Sequence, residues 1–282
     1  MLRTHYADEL SEKLDGQTVA LAGWAHEVRD IGRLKFLLLR DRTGIVQITG
    51  KKGEVKDDVL AKMTMVKESV LRVVGKVKKE KESRRGFEIT PEEIEILNPI
   101  TAMIPFEVTG KVPAEIDTRL DNRYIDLRRV ETQAIFRIRS DAGRAFREKL
   151  IELKFQEITP PCIVAAATEG GTDLFKVQYF EREAYLAQSP QLYKQLAVIG
   201  GMDRVFMTIP VFRAEKHHTT SHLNEVFQMD IEIGFADHND AMDVLDAVFK
   251  HILESAKRNC ADALKTLNVE LKVPREIKRY TY

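Results

Sequence analysis

The sequence has few of the residues that mark several common classes of protein. It contains two cysteines, Cys162 and Cys260, which show neither metal-ligand spacing nor a disulfide framework. No apolar run approaches the length that spans a membrane, and the N-terminus "MLRTHYADEL" lacks the apolar stretch of a signal peptide. These absences favour a cytoplasmic protein with no membrane partner.

An excess of charge of one sign is also absent. Lys+Arg and Asp+Glu both number 44, so no global field draws the molecule toward nucleic acid. A polyanion would need a local patch such as "KVKKEKESRR", residues 76 to 85, for which a solvated hairpin tip is the alternative. Neither "GxxxxGK[ST]" nor "GxGxxG" after a strand occurs, so a site for ATP would have to be built on a sheet with side chains.

The N-terminal third predicts an OB-type barrel. Residues 17 to 97 contain five short strand patterns, and "VKDDVLAKMTMV" suits a helix between the third and the fourth. On this barrel, Phe36 would stack on a base while Arg29 and Gln47 read its edge. The alternative is a core position for Phe36 and simple solvent exposure for the other two.

The rest of the chain predicts a linker and a second domain. Three prolines and no steady period in "NPITAMIPFEVTGKVPAEIDTRLDNRYIDLRR" indicate a connector, which gives domains at 1–102 and 129–282 and a linker at 103–128. Two amphipathic helices should follow, one from residue 130 and one from about residue 240. The stripe of the first, which should pack against a sheet or a second subunit, is Ile135, Ile138, Ala142, Phe146 and Leu150. The side chains expected to face inward in the second are Leu245, Val248, Ile252 and Ala256.

Two segments with period two, "RVFMTIPVFRAE" and "EVFQMDIEIGF", predict an antiparallel hairpin. Arg213 and Glu215 should share one face, and so should Val226, Gln228, Asp230 and Glu232 on the return strand. A guanidinium suits phosphate, and the acidic groups would hold an amine or a metal. A surface ladder of ion pairs is the alternative. His217, His218 and His222 fall in the turn without a fourth ligand, which argues against zinc.

"FRAEKHHTTSHLNEVFQMDIEIGF" resembles motif 2 of the class II aminoacyl-tRNA synthetases. "GGTDLF", "QSPQLYKQ" and "LDNRYIDLR" match the aspartyl enzymes of archaeal type. The resemblance implies an α+β protein with an N-terminal OB-fold barrel and a partial antiparallel catalytic sheet flanked by helices. It implies a ligase that activates L-aspartate with ATP and Mg²⁺ and transfers it from aspartyl-adenylate to tRNA(Asp). Pro161 in motif 1 implies a homodimer.

The resemblance also assigns roles to residues. Arg213 corresponds to the catalytic arginine that bridges the substrate carboxylate and the α-phosphate, and Glu169 to the acid that meets the substrate ammonium. Gln191 and Lys194 correspond to the pocket for the substrate side chain. A buried Lys194 would favour aspartate, because an amide or amine ligand would leave its charge uncompensated. The ATP-binding residues implied are Arg213, Ala214, Glu215, Ser221, His222 and Leu223.

Arg29, Phe36 and Gln47 fall where the family contacts anticodon bases, which favours base recognition over the core and solvent alternatives. His26 is a departure at the same surface, because relatives strict for the aspartate anticodon can carry a bulky tryptophan there. The expectation is therefore relaxed specificity, with charging of tRNA(Asn) as well as tRNA(Asp).

The glycine-rich third motif of the family, with its arginine for ATP, is absent from the sequence, as are the late acidic residues that hold magnesium. No metal ligand is therefore expected within this chain. One hypothesis is part of an aspartyl-tRNA synthetase that becomes active once about 150 further residues are restored. The other is a shortened paralogue that binds tRNA or a protein partner without catalysis. Intact Glu169, Gln191, Lys194, Arg213 and Glu215 favour the first.

Overall fold

The structure is a computed structural model that describes residues 2–166, 174–216 and 222–280. The chain divides into two compact units, Met1–Arg129 and Val130–Tyr282. Among the helices of the described ranges, none is long and apolar enough to cross a membrane.

The first unit contains a closed five-stranded barrel with the strand order β1-β2-β3-β5-β4. Alternation along β2 and β3 sends Leu37, Leu39 and Ile48 into the barrel core, so Phe36 and Gln47 face outward. The predicted OB-fold, with a helix between the third and fourth strands, is confirmed. Its elements are β1 (Thr18–Asp30), β2 (Leu34–Arg40), β3 (Ile45–Lys51), α1 (Asp57–Lys62), β4 (Val70–Lys79) and β5 (Phe87–Asn98).

The pairing of β4 with β5 in the barrel contains a bulge. Pro91 lies within β5, where it cannot donate a hydrogen bond to a neighbouring strand. The register shifts at this point, so that Gly75 pairs with Pro91 immediately after Val74 pairs with Glu93. A Cβ atom on Gly75 would lie 2.4 Å from the Thr90 carbonyl oxygen, so only glycine lets the two strands approach this closely.

The segment predicted as a linker, 103–128, lies within the first compact unit. It contains two short helices, α2 (Ile116–Asp121) and α3 (Arg123–Asp126). Asp126 is fully buried and accepts hydrogen bonds from Arg119 and Arg123. Arg128 donates to the buried carboxylate of Glu68 at 3.0 Å. These charged contacts give the segment a defined structure that proline content alone did not suggest.

The second unit contains the helices α4 (Val130–Glu152), α5 (Gln191–Ala197), α6 (His238–Asn259) and α7 (Ala261–Thr266). Asp141 of α4 accepts hydrogen bonds from Ser255 and Asn259 of α6, at 2.8 and 3.1 Å, and from Arg144. Burial alone would raise the pKa of Asp141, but the hydrogen bonds from these three side chains outweigh it and lower the pKa.

The stripe predicted for α4 is only partly buried in the second unit, and the inward stripe predicted for α6 is partly wrong. Phe146, Leu150, Val248 and Ala256 are buried, whereas Ile135 and Leu245 are 52% and 60% exposed. Ala134 packs with Cys260 and Ala263 near α7, so the contact stripe begins one residue before Ile135. Helical periodicity predicts a stripe, but its edge is set by the element that packs against it.

Two three-stranded sheets complete the second unit, in the orders β11-β10-β6 and β7-β9-β8. The predicted hairpin is confirmed, because β10 and β11 pair in antiparallel register over their whole length. One face of β10 carries buried Val205, Met207, Ile209 and Val211, and the other packs Phe206 against Phe146 of α4. The strands are β6 (Gln156–Glu157), β7 (Ile163–Val164), β8 (Lys176–Tyr179), β9 (Arg182–Leu186), β10 (Arg204–Phe212) and β11 (Glu225–Ile233).

Candidate functional site

A row of polar side chains on β11 lies beside the buried apolar row of β10. The register pairs Gln228 with Ile209, Asp230 with Met207, and Glu232 with Val205. Side chains at paired positions of an antiparallel sheet point to the same face. The face predicted for the acidic residues is therefore shared with the apolar residues that pack near the end of α5.

Lys194 of α5 is buried over this face. Its Nζ donates hydrogen bonds to Asp230 Oδ1 at 2.8 Å and to the Ile231 carbonyl oxygen at 3.3 Å. Glu232 Oε2 lies 3.3 Å from the same nitrogen, and Gln228 Nε2 donates to Asp230 Oδ2 at 3.4 Å. Two carboxylates therefore compensate the ammonium, and the premise that its charge would be uncompensated without an acidic ligand is wrong. Its role in binding aspartate stays a prediction.

Gln191 lies on the same side of α5 as Lys194, because residues three apart are neighbours on a helix surface. The helix begins at Gln191, whose backbone N–H donates to the hydroxyl of Ser189 at 3.1 Å. The predicted side-chain pocket thus has both of its members on one short helix.

Arg213 directly follows β10. Its backbone N–H donates to the Asn224 carbonyl oxygen at 2.9 Å, which extends the ladder and places Arg213 on the face of Val211 and Asp230. The side chain is exposed, and within residues 2–166, 174–216 and 222–280 its guanidinium forms no hydrogen bond or ion pair. The Glu215 N–H donates to the Arg213 carbonyl oxygen at 2.8 Å, so a tight turn ends the alternation on which a shared face for Arg213 and Glu215 depended.

Ala214 and Glu215 line a cleft of about 680 Å³. The opposite wall comes from β8 and β9 and includes Lys176 and Tyr185, which no sequence pattern singled out. His222 and Leu223 are exposed where the described chain resumes, and they are not among the residues that line this cleft. Four other residues singled out in the sequence lie outside the described residues: Glu169, His217, His218 and Ser221.

The described ranges contain no group of three or more His, Cys, Asp or Glu side chains placed to hold a metal ion. Any assignment of magnesium therefore rests on the family rather than on a ligand cluster in these ranges.

On the barrel, Arg29, Phe36 and Gln47 line one cavity of about 560 Å³, here called the barrel groove. Phe36 pairs with Arg29 on one side and with Thr49 on the other, so it lies in the middle of the outer face. The alternative that placed Phe36 in the core is wrong. Arg29 is exposed, as the solvent alternative stated, and its Nε and Nη2 donate to Glu27 Oε1 at 3.0 and 2.8 Å.

His26 is not among the residues that line the barrel groove. It lies at a register shift in β1, between Ala25 and Glu27, with Nδ1 at 2.7 Å from Arg40 Nη1. Because a guanidinium can only donate, Nδ1 must accept, and the imidazole is neutral with its hydrogen on Nε2. Burial first, and then the charge of Arg40, lower the pKa of His26 below its ordinary value of 6.5.

The basic run 76–85 forms the end of β4 and the following turn, and most of its charges have partners in the same unit. Arg85 is an internal contact, since Nη1 and Nη2 donate to the carbonyl oxygens of Ala7 and Leu10 at 2.7 and 3.0 Å. This arrangement favours the hairpin-tip alternative over a polyanion site. The lysine ion pairs are Lys76–Glu92 at 3.6 Å, Lys78–Glu88 at 3.8 Å and Lys79–Glu12 at 3.0 Å.

Comparison with protein families explains why a barrel groove and a charged hairpin occur in one chain. Residues 115–282 match the tRNA synthetases class II (D, K and N), and residues 19–97 match the OB-fold nucleic acid binding domain. The chain therefore belongs to the class II tRNA synthetases of the D, K and N group.

Individual relatives within this group are aspartate and asparagine enzymes. The aspartate–tRNA(Asp/Asn) ligase of Methanosarcina acetivorans is 50% identical over 277 residues, which are 97% of this chain and 62% of the relative. The aspartate–tRNA(Asp) ligase of Pyrococcus furiosus is 48% identical over 285 residues, 100% of this chain and 65% of the relative. The crystal structure of asparaginyl-tRNA synthetase from Pyrococcus horikoshii complexed with asparaginyl-adenylate is 32% identical with a TM-score of 0.87, over 94% of this chain and 61% of that one. The chain thus spans less than two thirds of each.

Proposed function

We propose that this chain carries the anticodon-binding domain and part of the catalytic domain of an aspartate–tRNA ligase, which activates L-aspartate with ATP and transfers it to tRNA(Asp). The observation that supports this most is the hairpin face. There a buried, oriented ammonium at Lys194 and an exposed guanidinium at Arg213 share one side of the sheet. The names of the curated relatives favour aspartate over asparagine. A cytoplasmic homodimer belongs to the same proposal.

The proposed aspartate pocket uses the remaining donor of Lys194. Two of its three N–H groups are directed at Asp230 and Ile231, and a substrate would share the third with Glu232, whose Oε2 lies 3.3 Å from the same nitrogen. The side-chain carboxylate of aspartate offers acceptors on both oxygens, to this N–H and to the Gln191 amide, whereas the amide of asparagine offers one. Glu169 is proposed to meet the substrate ammonium.

The proposed reaction needs alignment more than proton transfer. The α-carboxylate of aspartate is already a nucleophile, so activation depends on its position and on neutralising charge at phosphorus. The fork of Arg213, which is unpaired among the described residues, suits a carboxylate and an α-phosphate at the same time.

The cleft beside Arg213 is proposed to hold ATP. Ala214 and Glu215 line it together with two lysines, Lys176 and Lys216, whose charge suits phosphates. Ser221, His222 and Leu223 are proposed to contact ATP from the loop. Mg²⁺ is expected with ATP, but no step is assigned to it because the described ranges hold no ligand cluster.

The barrel groove is proposed to bind anticodon bases. A base would stack on Phe36, with Arg29 and Gln47 at its edge. Charging of tRNA(Asn) is supported by the Asp/Asn name of one relative. His26 adds less support than its position in the sequence suggested, because it lies outside the groove lining. Charging assays with the two tRNAs at equal concentration test this part, and strong rejection of tRNA(Asn) would remove it.

Aspartate-dependent exchange of pyrophosphate into ATP tests the activity. The measurement is made on the 282-residue chain alone and on the same chain joined to the region of the Methanosarcina acetivorans relative that it does not match. The joined protein should exchange with aspartate and far less with asparagine. Lys194→Met should remove the exchange, whereas Lys272→Met, at an exposed position, should not. Exchange with asparagine equal to that with aspartate would contradict the proposed substrate.

A further inference from the structure

Two arginines at one end of the barrel lie over the same tyrosine ring. The guanidinium carbon of Arg3 is 4.7 Å from the centre of the Tyr6 ring, and that of Arg42, in the turn between β2 and β3, is 5.6 Å from it. Arg42 is exposed, and Arg3 and Tyr6 are partly buried. Neither guanidinium forms a hydrogen bond or an ion pair with any residue that the structure describes. The three side chains are here called the arginine–tyrosine cluster.

The acids that are close in the sequence do not neutralise these charges. Asp41 is buried, and its Oδ2 accepts from the Ala7 N–H at 2.8 Å while its Oδ1 accepts from N–H groups of the β2–β3 turn. Glu9 Oε2 accepts from the Tyr6 N–H at 2.6 Å. Asp8 is exposed and forms no ion pair within the described part of the chain. Both arginines therefore keep their charge and their donors for a ligand.

The two positive charges of the cluster are close enough to repel each other. Both distances end at the same ring centre, so the guanidinium groups lie within about 10 Å of each other, which is about the Debye length at 0.1 M salt. The face of a tyrosine ring attracts and orients a guanidinium but does not cancel its charge. An anion that contacts both groups would remove the repulsion, and the planar fork of an arginine can donate two hydrogen bonds to a phosphate.

The arginine–tyrosine cluster lies beside the barrel groove but is not part of its lining. Ala7 follows Tyr6, and its carbonyl oxygen accepts a hydrogen bond from Arg85 Nη1 at 2.7 Å. Arg85 belongs to the turn between β4 and β5, and Ser83 of the same turn lines the groove. An RNA strand that leaves the groove at this end of the barrel would bring its backbone to the cluster.

We propose that the arginine–tyrosine cluster binds the phosphate backbone of an RNA whose loop occupies the barrel groove. Arg3 and Arg42 donate to phosphate oxygens, and Tyr6 is a positioning residue that orients both guanidinium groups. A chain of zero net charge needs a local patch of this kind to hold a polyanion. Phosphate contacts fix where the RNA lies and do not select its bases. The inference rests on the proposed function, because it takes the barrel as the unit that binds RNA.

The test measures binding of the 282-residue chain to RNA hairpins with an unpaired loop, by fluorescence anisotropy over a series of salt concentrations. Each phosphate contact contributes about 0.7–0.9 to the slope of the logarithm of the binding constant against that of the salt concentration. Arg3→Gln and Arg42→Gln should each reduce the slope by about this amount, a loss of about fivefold in affinity at about 0.1 M salt. The loss should be the same for every loop sequence.

Two controls separate this site from an effect of net charge and from a loss of fold. Lys62→Gln removes one positive charge at an exposed position at the end of α1, outside the groove lining, and should leave the slope unchanged. Tyr6→Phe keeps the ring and should bind as the unmodified chain does, whereas Tyr6→Leu should lower the slope. Should Tyr6→Leu fail to fold, the two arginine variants decide the question alone.

The variant with both arginines replaced gives the decisive result. An unchanged slope in this variant, with RNA binding otherwise retained, overturns the inference and leaves the proposed function standing. An equal reduction in Lys62→Gln assigns the effect to net charge and also overturns the inference. If neither the 282-residue chain nor the joined protein binds the hairpins, RNA binding by the barrel fails, and the inference fails with it.

A last arm distinguishes RNA backbone from a free phosphate ion as the ligand of the cluster. Replacing chloride by inorganic phosphate at equal ionic strength should change RNA binding little. A large loss of binding in phosphate that disappears when both arginines are replaced would assign the cluster to the free ion and overturn the inference.

Discussion

The polar side chains of the barrel groove and those of the hairpin face are oriented to different extents by their neighbours. In the groove, Gln47 is oriented by Glu88, and Arg29 by Glu27. On the hairpin face, Lys194 is fixed by two carboxylates, while Arg213 is exposed and without a polar contact in the described ranges. Side chains that are already oriented lose little conformational entropy when a ligand binds, whereas an arginine without such contacts is ordered only by its ligand. The groove should therefore bind a ligand with little rearrangement, and the hairpin face should become more ordered when the proposed substrates bind.

The largest effect is expected where the first unit buries an ion pair. Glu68 lies 2.7 Å from Arg40 and 3.0 Å from Arg128, and the Glu68 and Arg40 side chains are each 4% exposed. Glu68→Gln leaves Arg40 buried without an opposite charge and should lower the free energy of unfolding by about 3–5 kcal/mol in urea titrations.

The matched control is Glu93→Gln, at an exposed carboxylate 3.7 Å from Arg72, which should cost less than about 1 kcal/mol. An equal loss of unfolding free energy in the two variants would mean that the buried pair of Glu68 and Arg40 does not stabilise the barrel.

The next effect is expected at Lys194. Lys194→Met leaves Asp230 and Glu232 facing each other without a cation, and should destabilise the protein by about 2–3 kcal/mol. The value is below that for Glu68, because the two carboxylates are 18% and 26% exposed and water screens their repulsion. Urea unfolding measures it, with Lys176→Met at an exposed pair as the control. A loss no larger than that of the control would show that Lys194 is not held as the structure indicates.

A smaller effect is expected from pH at His26. The groups that act on it are Arg40 and Lys111, which lower its pKa, and Glu68 and Glu27, which raise it. Because the folded pKa is below the unfolded value of 6.5, the unfolded chain takes up a proton first. Stability should therefore fall as the pH decreases through 6.5, until the folded pKa is passed.

His26→Gln keeps an acceptor for Arg40 and does not titrate, so it should remove this part of the decline. Urea midpoints at about pH 7.5 and about pH 5.5 measure the change. His238→Gln, at an exposed position, should retain the decline. An identical decline in the two variants would count against the burial of His26 as its cause.

The smallest effect on stability is expected at Arg213, where the effects on stability and on activity should differ most. Arg213→Ala should change the free energy of unfolding by less than about 0.5 kcal/mol, because the side chain is exposed and unpaired in the described ranges. Pyrophosphate exchange in the joined protein should nevertheless fall by about a hundredfold or more, since a charge proposed to stabilise the reacting phosphate is lost. A clear loss of stability would show that Arg213 is held by the fold rather than by its ligand.

The local periods of the sequence were sufficient to predict the barrel and the hairpin. Strand alternation is a property of neighbouring residues, so it correctly placed Gln228, Asp230 and Glu232 on one face. The same period put Phe227 on the opposite face from Val226, where Arg139 of α4 now lies over its ring at 5.5 Å.

Contacts between distant segments could not be predicted in this way. The partners of Lys194 are on a strand 36 residues further along the chain, and Glu88 reaches Gln47 across 41 residues. Which helix lies over which strand is decided by packing, so neither composition nor period could reveal that the ammonium was already paired. The contacts of Asp126 with Arg119 and Arg123, within the segment predicted as a linker, could not be read from its proline content either.

The hydrogen bonds from Arg85 connect the N-terminal residues, which precede the first strand, to the barrel. Leu10 contributes to the hydrophobic core, and the carbonyl oxygens of Ala7 and Leu10 receive the guanidinium from the far end of the β4–β5 turn. A polypeptide shortened to begin after Leu10 would keep every groove residue and yet lose a core side chain and two acceptors together. Its melting temperature should drop, so proteolytic trimming at this end should weaken the proposed RNA binding without removing any residue of the barrel groove.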